Sequence, residues 1–192
     1  MTNNKQVEKI IAGDRFAFEE LINEYKDSVM RTCMGFVHNY NDAEDITQDV
    51  FIEIYESINK FRGDSKLSTW IYRIAVNKSL NFIRKNKKHS VLKSIETFFA
   101  GDNSSNSNID IADEKAELKT GMEQTETALV LAKAIDSLAK NQKIAFTLHK
   151  YDDLSYKQIA DVMELSLSSV ESLIHRAKIN LQKRLIGYYK AD

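Results

Sequence analysis

Trp70, Asn77, Asn81, Arg84 and Lys88 sit at intervals of seven, four, three and four residues. At about 100° per residue these positions share one helical stripe about 60° wide. An indole offers a flat π-face, an amide both donates and accepts hydrogen bonds, and guanidinium and ammonium groups seek phosphate. That set suits the holding of a nucleic-acid strand; it also suits a solvated helix face with one half-buried Trp. Other chemistries find little support. His38, His89, His149 and His175 show no metal-ligand spacing, Cys33 has no partner cysteine, and no phosphate-binding loop is present. No catalytic residue, metal or cofactor is therefore expected, and the many acids read as solvated helix faces.

The elements that position the stripe follow from the residues opposite it. Ile71, Tyr72, Ile74, Ala75, Val76, Leu80, Phe82 and Ile83 occupy one wide apolar arc of the same helix. Across all 192 residues there is no proline and there are only six glycines, and few segments alternate like a strand. The fold expected is all-α. Breaks fall at residues 12–14, near 38–42 and at 61–66, and the small polar run 101–108 reads as a flexible linker. Two small helical domains, 1–90 and 128–192, are expected to flank an acidic linker, 91–127. The lone Cys33 excludes an internal disulfide and suits a reducing cytoplasm. No apolar run approaches the ~18 residues of a membrane span and the N-terminus has no signal-peptide core, so no membrane insertion is expected.

The net charge of −1 conceals strong sorting. Residues 42–56 hold six acids and no base, residues 73–93 seven bases and no acid, and residues 172–190 five bases and no acid. Such segregation implies one polyanionic partner and another that docks on an acidic face.

Three segments concentrate this chemistry. In "LSYKQIADVMELSLSSVESLIHRAKINLQKRL", Ser155 and Gln158 form a capping-box pattern before a short helix, "ELSLS" makes a turn, and a basic helix follows with Val170, Ile174, Ala177, Leu181 and Leu185 inward. This reads as a helix-turn-helix, or as a plain helical hairpin. In "DAEDITQDVFIEIYESI", Ala43, Val50, Ile54 and Ile58 face a core and Asp45, Asp49 and Glu56 form an acidic arc. Gln48, Ile52 and Tyr55 lie between, either as an exposed docking strip or as packing within the bundle. The loop "KFRGDSKLS" turns at Gly63 and presents Arg62, Asp64, Ser65 and Lys66 near Trp70, which suits either the capping of an extruded base or a structural turn.

Together, in this order, the segments "DAEDITQDVFIEIY", "FRGDSKLSTWIYRIAVNKSLNFIRKNKK" and the helix-turn-helix resemble an extracytoplasmic-function (ECF) sigma factor of bacterial RNA polymerase, with its regions 2 and 4 joined by a linker. The resemblance spans nearly the whole chain. It implies that Asp45, Gln48, Asp49, Phe51, Ile52 and Tyr55 dock on the β′ coiled coil of core polymerase, and that region 4 meets the β flap. It implies that Phe61, Arg62, Gly63, Asp64, Ser65, Lys66 and Leu67, with Trp70, Asn77 and Asn81, capture unpaired bases of the promoter −10 element, while Arg84, Lys85 and Lys88 hold phosphate. Ser168, Ser169, Glu171, Ser172, His175, Arg176 and Lys178 would read the −35 element as duplex. An anti-sigma factor is an expected partner.

Two positions depart from the family pattern. "SLAKNQKIAF" has no helix-starting proline. Glu171 stands where basic residues are common, and suits either acceptance from cytosine N4 or a capping box with Ser168. The competing functional readings are a free-standing helix-turn-helix regulator of duplex DNA and a helical adaptor. Neither needs both the acidic strip and the Trp-Asn-Arg stripe.

Overall fold

Asp14 ends one helix and begins the next. Gly13 reverses the chain at φ +89°, and the Asp14 carboxylate accepts hydrogen bonds from the Phe16 and Ala17 amides at 3.0 and 3.2 Å. Such an N-cap contributes about 1 kcal/mol. It separates α1 (Thr2–Ile11) from α2 (Arg15–Val37). At the far end of α2, His38 takes the left-handed conformation and the Asn39 side chain accepts from Asp42 N, so that α3 (Tyr40–Ser57) starts at once. A 3-10 turn, Ile58–Lys60, leads into the 61–66 loop and then α4 (Leu67–Phe99). The second half holds α5 (Met122–Asp136), α6 (Lys140–Tyr151), α7 (Tyr156–Met163) and α8 (Leu167–Tyr189). The structure, a computed structural model, describes the backbone of residues 2–99 and 122–189 and the side chains of residues 5–87 and 126–188. Among the described residues every regular element is helical, as the composition predicts. Most of the expected linker, 91–127, lies outside them, and α4 continues to Phe99 as one helix.

The helical periods seen in the sequence are satisfied by three apolar clusters. Leu21, Val29, Ile46, Val50, Ile54, Leu67, Ile71 and Ala75 tie α2, α3 and α4 together. Truncating Leu21 or Ile54, both fully buried, to Ala is expected to cost 2–5 kcal/mol. Ala134, Ile135, Leu138, Ala177 and Leu181 join α5 to α8. The third cluster crosses between the halves. Phe36, Tyr72 and Val76 pack with Ile144, Leu148, Ile159, Val170 and Ile174 of the helix-turn-helix. The wide apolar arc of α4 therefore serves two cores, Ile71 and Ala75 facing one and Tyr72 and Val76 the other.

The helix-turn-helix itself is locally encoded. Ser155 and Gln158 form the expected capping box at the start of α7. α7 ends at Glu164, left-handed at φ 56°, whose amide donates to Ala160 O. Leu165 N returns to the same carbonyl at 3.1 Å. α6, lacking proline or a capping side chain, starts at Ala139 without a side-chain cap.

Candidate nucleic-acid and protein-docking interfaces

On α3 the acidic arc and the mixed strip both reach the surface. Asp45, Gln48 and Asp49 are exposed, and Ile52 and Tyr55 keep 56% and 60% of their surface open. Of the two readings of that strip, packing within the bundle is therefore incomplete. Tyr55 does lean on Phe18 of α2, ring centroids 5.0 Å apart, yet the pair leaves a groove beside it. The groove encloses about 630 Å³ and is walled by Phe18, Ile22, Lys26, Gln48, Ile52 and Tyr55. Phe51 is 7% exposed and lines the same groove, so it acts as floor rather than as a projecting contact. Phe18, Ile22 and Lys26 were not anticipated from the sequence; their apolar spacing read only as core. A long apolar trough rimmed by carboxylates suits an amphipathic helix carrying basic residues.

On α4 the stripe is largely free. Asn77, Asn81, Arg84 and Lys85 are exposed, and Arg84 Nη2 donates to Asn81 Oδ1 at 3.2 Å, which aligns the amide and the cation along one turn. Lys88 carries its side chain outside the described residues. Trp70 is half-buried and tilted on Phe61, centroids 5.5 Å apart, so the aromatic end of the stripe is fixed by packing. In the loop, Gly63 at φ +76° makes the turn and Arg62 Nε lies 3.2 Å from Asp64 Oδ2, both side chains well exposed. Lys66 is exposed and Ser65 partly so, with its hydroxyl facing Lys66 O at 3.4 Å. Leu67 corrects the expectation that the whole loop faces a strand. At 1% exposure it belongs to the core, because the first turn of α4 needs an apolar anchor, and it holds the loop in place instead.

On α8 the outward residues Ser168, Glu171, Ser172, His175, Arg176 and Lys178 are all exposed, and Ser169 partly so. The cap of α8 is Ser166, whose hydroxyl accepts from Ser169 N at 3.2 Å and meets Ser169 Oγ at 2.8 Å. That leaves Glu171 free of the capping role considered for it with Ser168. Arg176 Nε donates to Ser172 O at 3.2 Å, laying the guanidinium along the helix. The result is one solvent-facing surface of hydroxyls, a carboxylate, an imidazole and cations, mounted on a helix buried along its other side. Such a helix can enter a major groove.

Other chemistry is sparse. No group of three or more His, Cys, Asp or Glu among the described residues is placed to hold a metal ion, and no described helix is long and apolar enough to cross a membrane. Cys33 is buried, and that burial pushes its thiol above the ordinary range.

The fold and these three surfaces define a two-part helical DNA-binding protein with a separate protein-docking groove, and known proteins match it along its length. Family models for sigma-70 region 2 and sigma-70 region 4 match residues 21–89 and 128–181. The RNA polymerase sigma-H factor of Pseudomonas aeruginosa is 34% identical over 184 residues, covering 93% of this chain and 91% of that one. The ECF RNA polymerase sigma-E factor of Haemophilus influenzae is 31% identical, covering 96% of both chains. In fold, the chain resembles CnrH in the solved complex with the cytosolic domain of CnrY, with a TM-score of 0.66 at 18% identity over 95% of this chain and 96% of that one. It also resembles the sigma factor RpoE in complex with the anti-sigma factor NepR from Bartonella quintana, with a TM-score of 0.57 at 19% identity, covering 88% and 96%. The chain belongs to the sigma-70 family of RNA polymerase sigma factors, within the ECF group.

Proposed function

We propose that this ECF sigma factor divides promoter recognition between its halves, without catalysing a step itself, in the bacterial cytoplasm. The groove between α2 and α3, with Asp45, Gln48, Asp49, Ile52 and Tyr55 on its rim and Phe51 as floor, takes the β′ coiled coil of core polymerase. The 61–66 loop, Trp70, Asn77 and Asn81 hold unpaired bases of the −10 element, and Arg84, Lys85 and Lys88 hold its phosphates. The exposed face of α8, from Ser168 to Lys178, reads the −35 duplex, and region 4 meets the β flap. An anti-sigma factor would silence the protein by covering these surfaces, as the CnrH and RpoE complexes suggest for their fold.

The observation that carries this reading is the exposed alignment of Asn77, Asn81 and Arg84 on a helix whose other sides are buried. Base edges need amide donors and acceptors, and a melted strand brings its phosphates along. A duplex reader alone has no use for a second such face. The test is transcription in vitro from sheared genomic DNA with core polymerase and this protein, followed by mapping of the 5′ ends. Start sites that appear only with the protein and share two spaced elements support the proposal. A pattern identical to that of core polymerase alone refutes it.

A further inference from the structure

The two halves of the chain are clasped together, and the clasp is written into residues that neither half needs for its own fold. Gly35 lies inside α2, where glycine is a weak helix former. A methyl group on it would stand 2.6 Å from Thr147 Cγ2 and 2.8 Å from Tyr151 Cδ2, both on α6. Its bare backbone is what lets α6 lie on α2. One turn further on, Lys143 of α6 is buried to 6% exposure, and its ammonium donates to Phe36 O at 2.9 Å and to Asp136. Phe36 O is among the last carbonyls of α2, which have no partner within the helix. The return contact has the same form. Arg73 of α4 donates from Nη2 to Asp161 O at 2.6 Å and from Nε to Val162 O at 3.2 Å, and its Nη1 lies 2.9 Å from Glu164 Oε1. Each half thus caps the C-terminal end of a helix in the other. Buried lysines are rare unless paired, so a chance apposition of two independent domains would not place Lys143 there.

The docked arrangement sets the helix-turn-helix beside the strand-holding face. Asn77 shares a polar notch of about 320 Å³ with Lys140, Asn141, Glu164 and Leu165 of the second half. Elements centred at −10 and −35 lie roughly 25 base pairs apart, about 85 Å at 3.4 Å per pair. A compact chain of this length has a radius of gyration of about 16 Å. The docked protein is too small to read both elements at once.

We propose that the docking of region 4 on region 2 is an autoinhibited resting state, held by the close approach at Gly35 and by the reciprocal Lys143 and Arg73 caps, and that the halves must part before the promoter is engaged. This rests on the promoter-reading roles given above. Region 2 and region 4 keep their own apolar clusters when parted, so opening does not require unfolding.

The test is small-angle X-ray scattering of the full-length protein, paired with its affinity for core polymerase. Gly35→Ala is the informative variant, because Ala favours the α2 helix while its methyl collides with α6. Arg73→Ala removes the other cap by a different route. Both are expected to keep wild-type helicity by circular dichroism, to raise the radius of gyration by several ångströms, and to bind core polymerase roughly tenfold more tightly, as when a 10%-populated open state becomes dominant. Unchanged dimensions in both variants would overturn the docking. Expansion with unchanged polymerase affinity would overturn its inhibitory role. Expansion in proteins that bind no polymerase at all would count against the promoter-reading roles, and the inhibition would fall with them while the clasp stood.

Discussion

Tyr55 and Asn77 are both exposed on helices that are otherwise buried, and exposure at such positions makes single substitutions informative because little folding energy is at stake. Replacing Tyr55 by Ala removes one wall of the α2–α3 groove, and an aromatic anchor of this kind is typically worth ~2 kcal/mol in an interface. Core polymerase affinity is expected to fall about thirtyfold, with unchanged thermal stability. Asp49→Arg should have a larger effect by setting a cation into the acidic rim. A Tyr55→Ala protein that binds as wild type would remove the groove from the docking surface. At Asn77 the expectation is complementary. Asn77→Ala should slow open-complex formation, followed by permanganate reactivity of melted thymines, and leave polymerase affinity alone. Equal loss of both would mean that Asn77 does not act on the strand.

At the scale of elements, the helices and their boundaries were largely legible, because caps are local chemistry. Asp14, Asn39 and the Ser155–Gln158 box all act within three residues of themselves. Ser155→Ala is accordingly expected to lower stability by about 1 kcal/mol, a loss of a few degrees in melting temperature, and no change in melting would mean that the box is redundant with packing. What was less legible depended on partners distant in sequence. The arc on α4 read as one broad core face, whereas the structure splits it between two clusters. Period alone gives the breadth of an apolar face and not the number of neighbours it meets. Leu67 read as a loop residue facing DNA because its neighbours are polar, yet it seals the core. Gly35 and Lys143 carried no signal at all in the sequence. A glycine within a helical pattern and a lysine among apolar residues acquire meaning only when the other half of the chain arrives.

The molecule as a whole is held closed partly by a carboxylate. Asp152, at the end of α6, accepts a hydrogen bond from Thr32 of α2, while Arg31 Nε stands 3.6 Å away. Burial pushes its carboxyl up to about 6, against the opposing influence of Thr32 and Arg31, and neighbouring Asp153 adds to the rise. If the halves part, Asp152 returns to water and to its ordinary value of 3.8. Between those values the docked form holds a proton that the open form has lost, so docking is favoured by acid and weakens as pH rises through about 6. The protein is expected to be more compact at pH 5 than at pH 7.5 by small-angle scattering, and Asp152→Asn should be compact at both. His38, Asp136 and Lys143 also meet at the interface, but both proteins carry them, so a pH response that persists in Asp152→Asn would assign the effect to that cluster instead.

The central claim, that this chain is a specificity subunit of RNA polymerase, is tested most directly by competition. Labelled protein is mixed with bacterial core polymerase and titrated with an unlabelled housekeeping sigma factor. The account predicts tight binding that the competitor displaces fully. A folded protein that fails to bind, or that stays bound when the competitor saturates the polymerase, would contradict it.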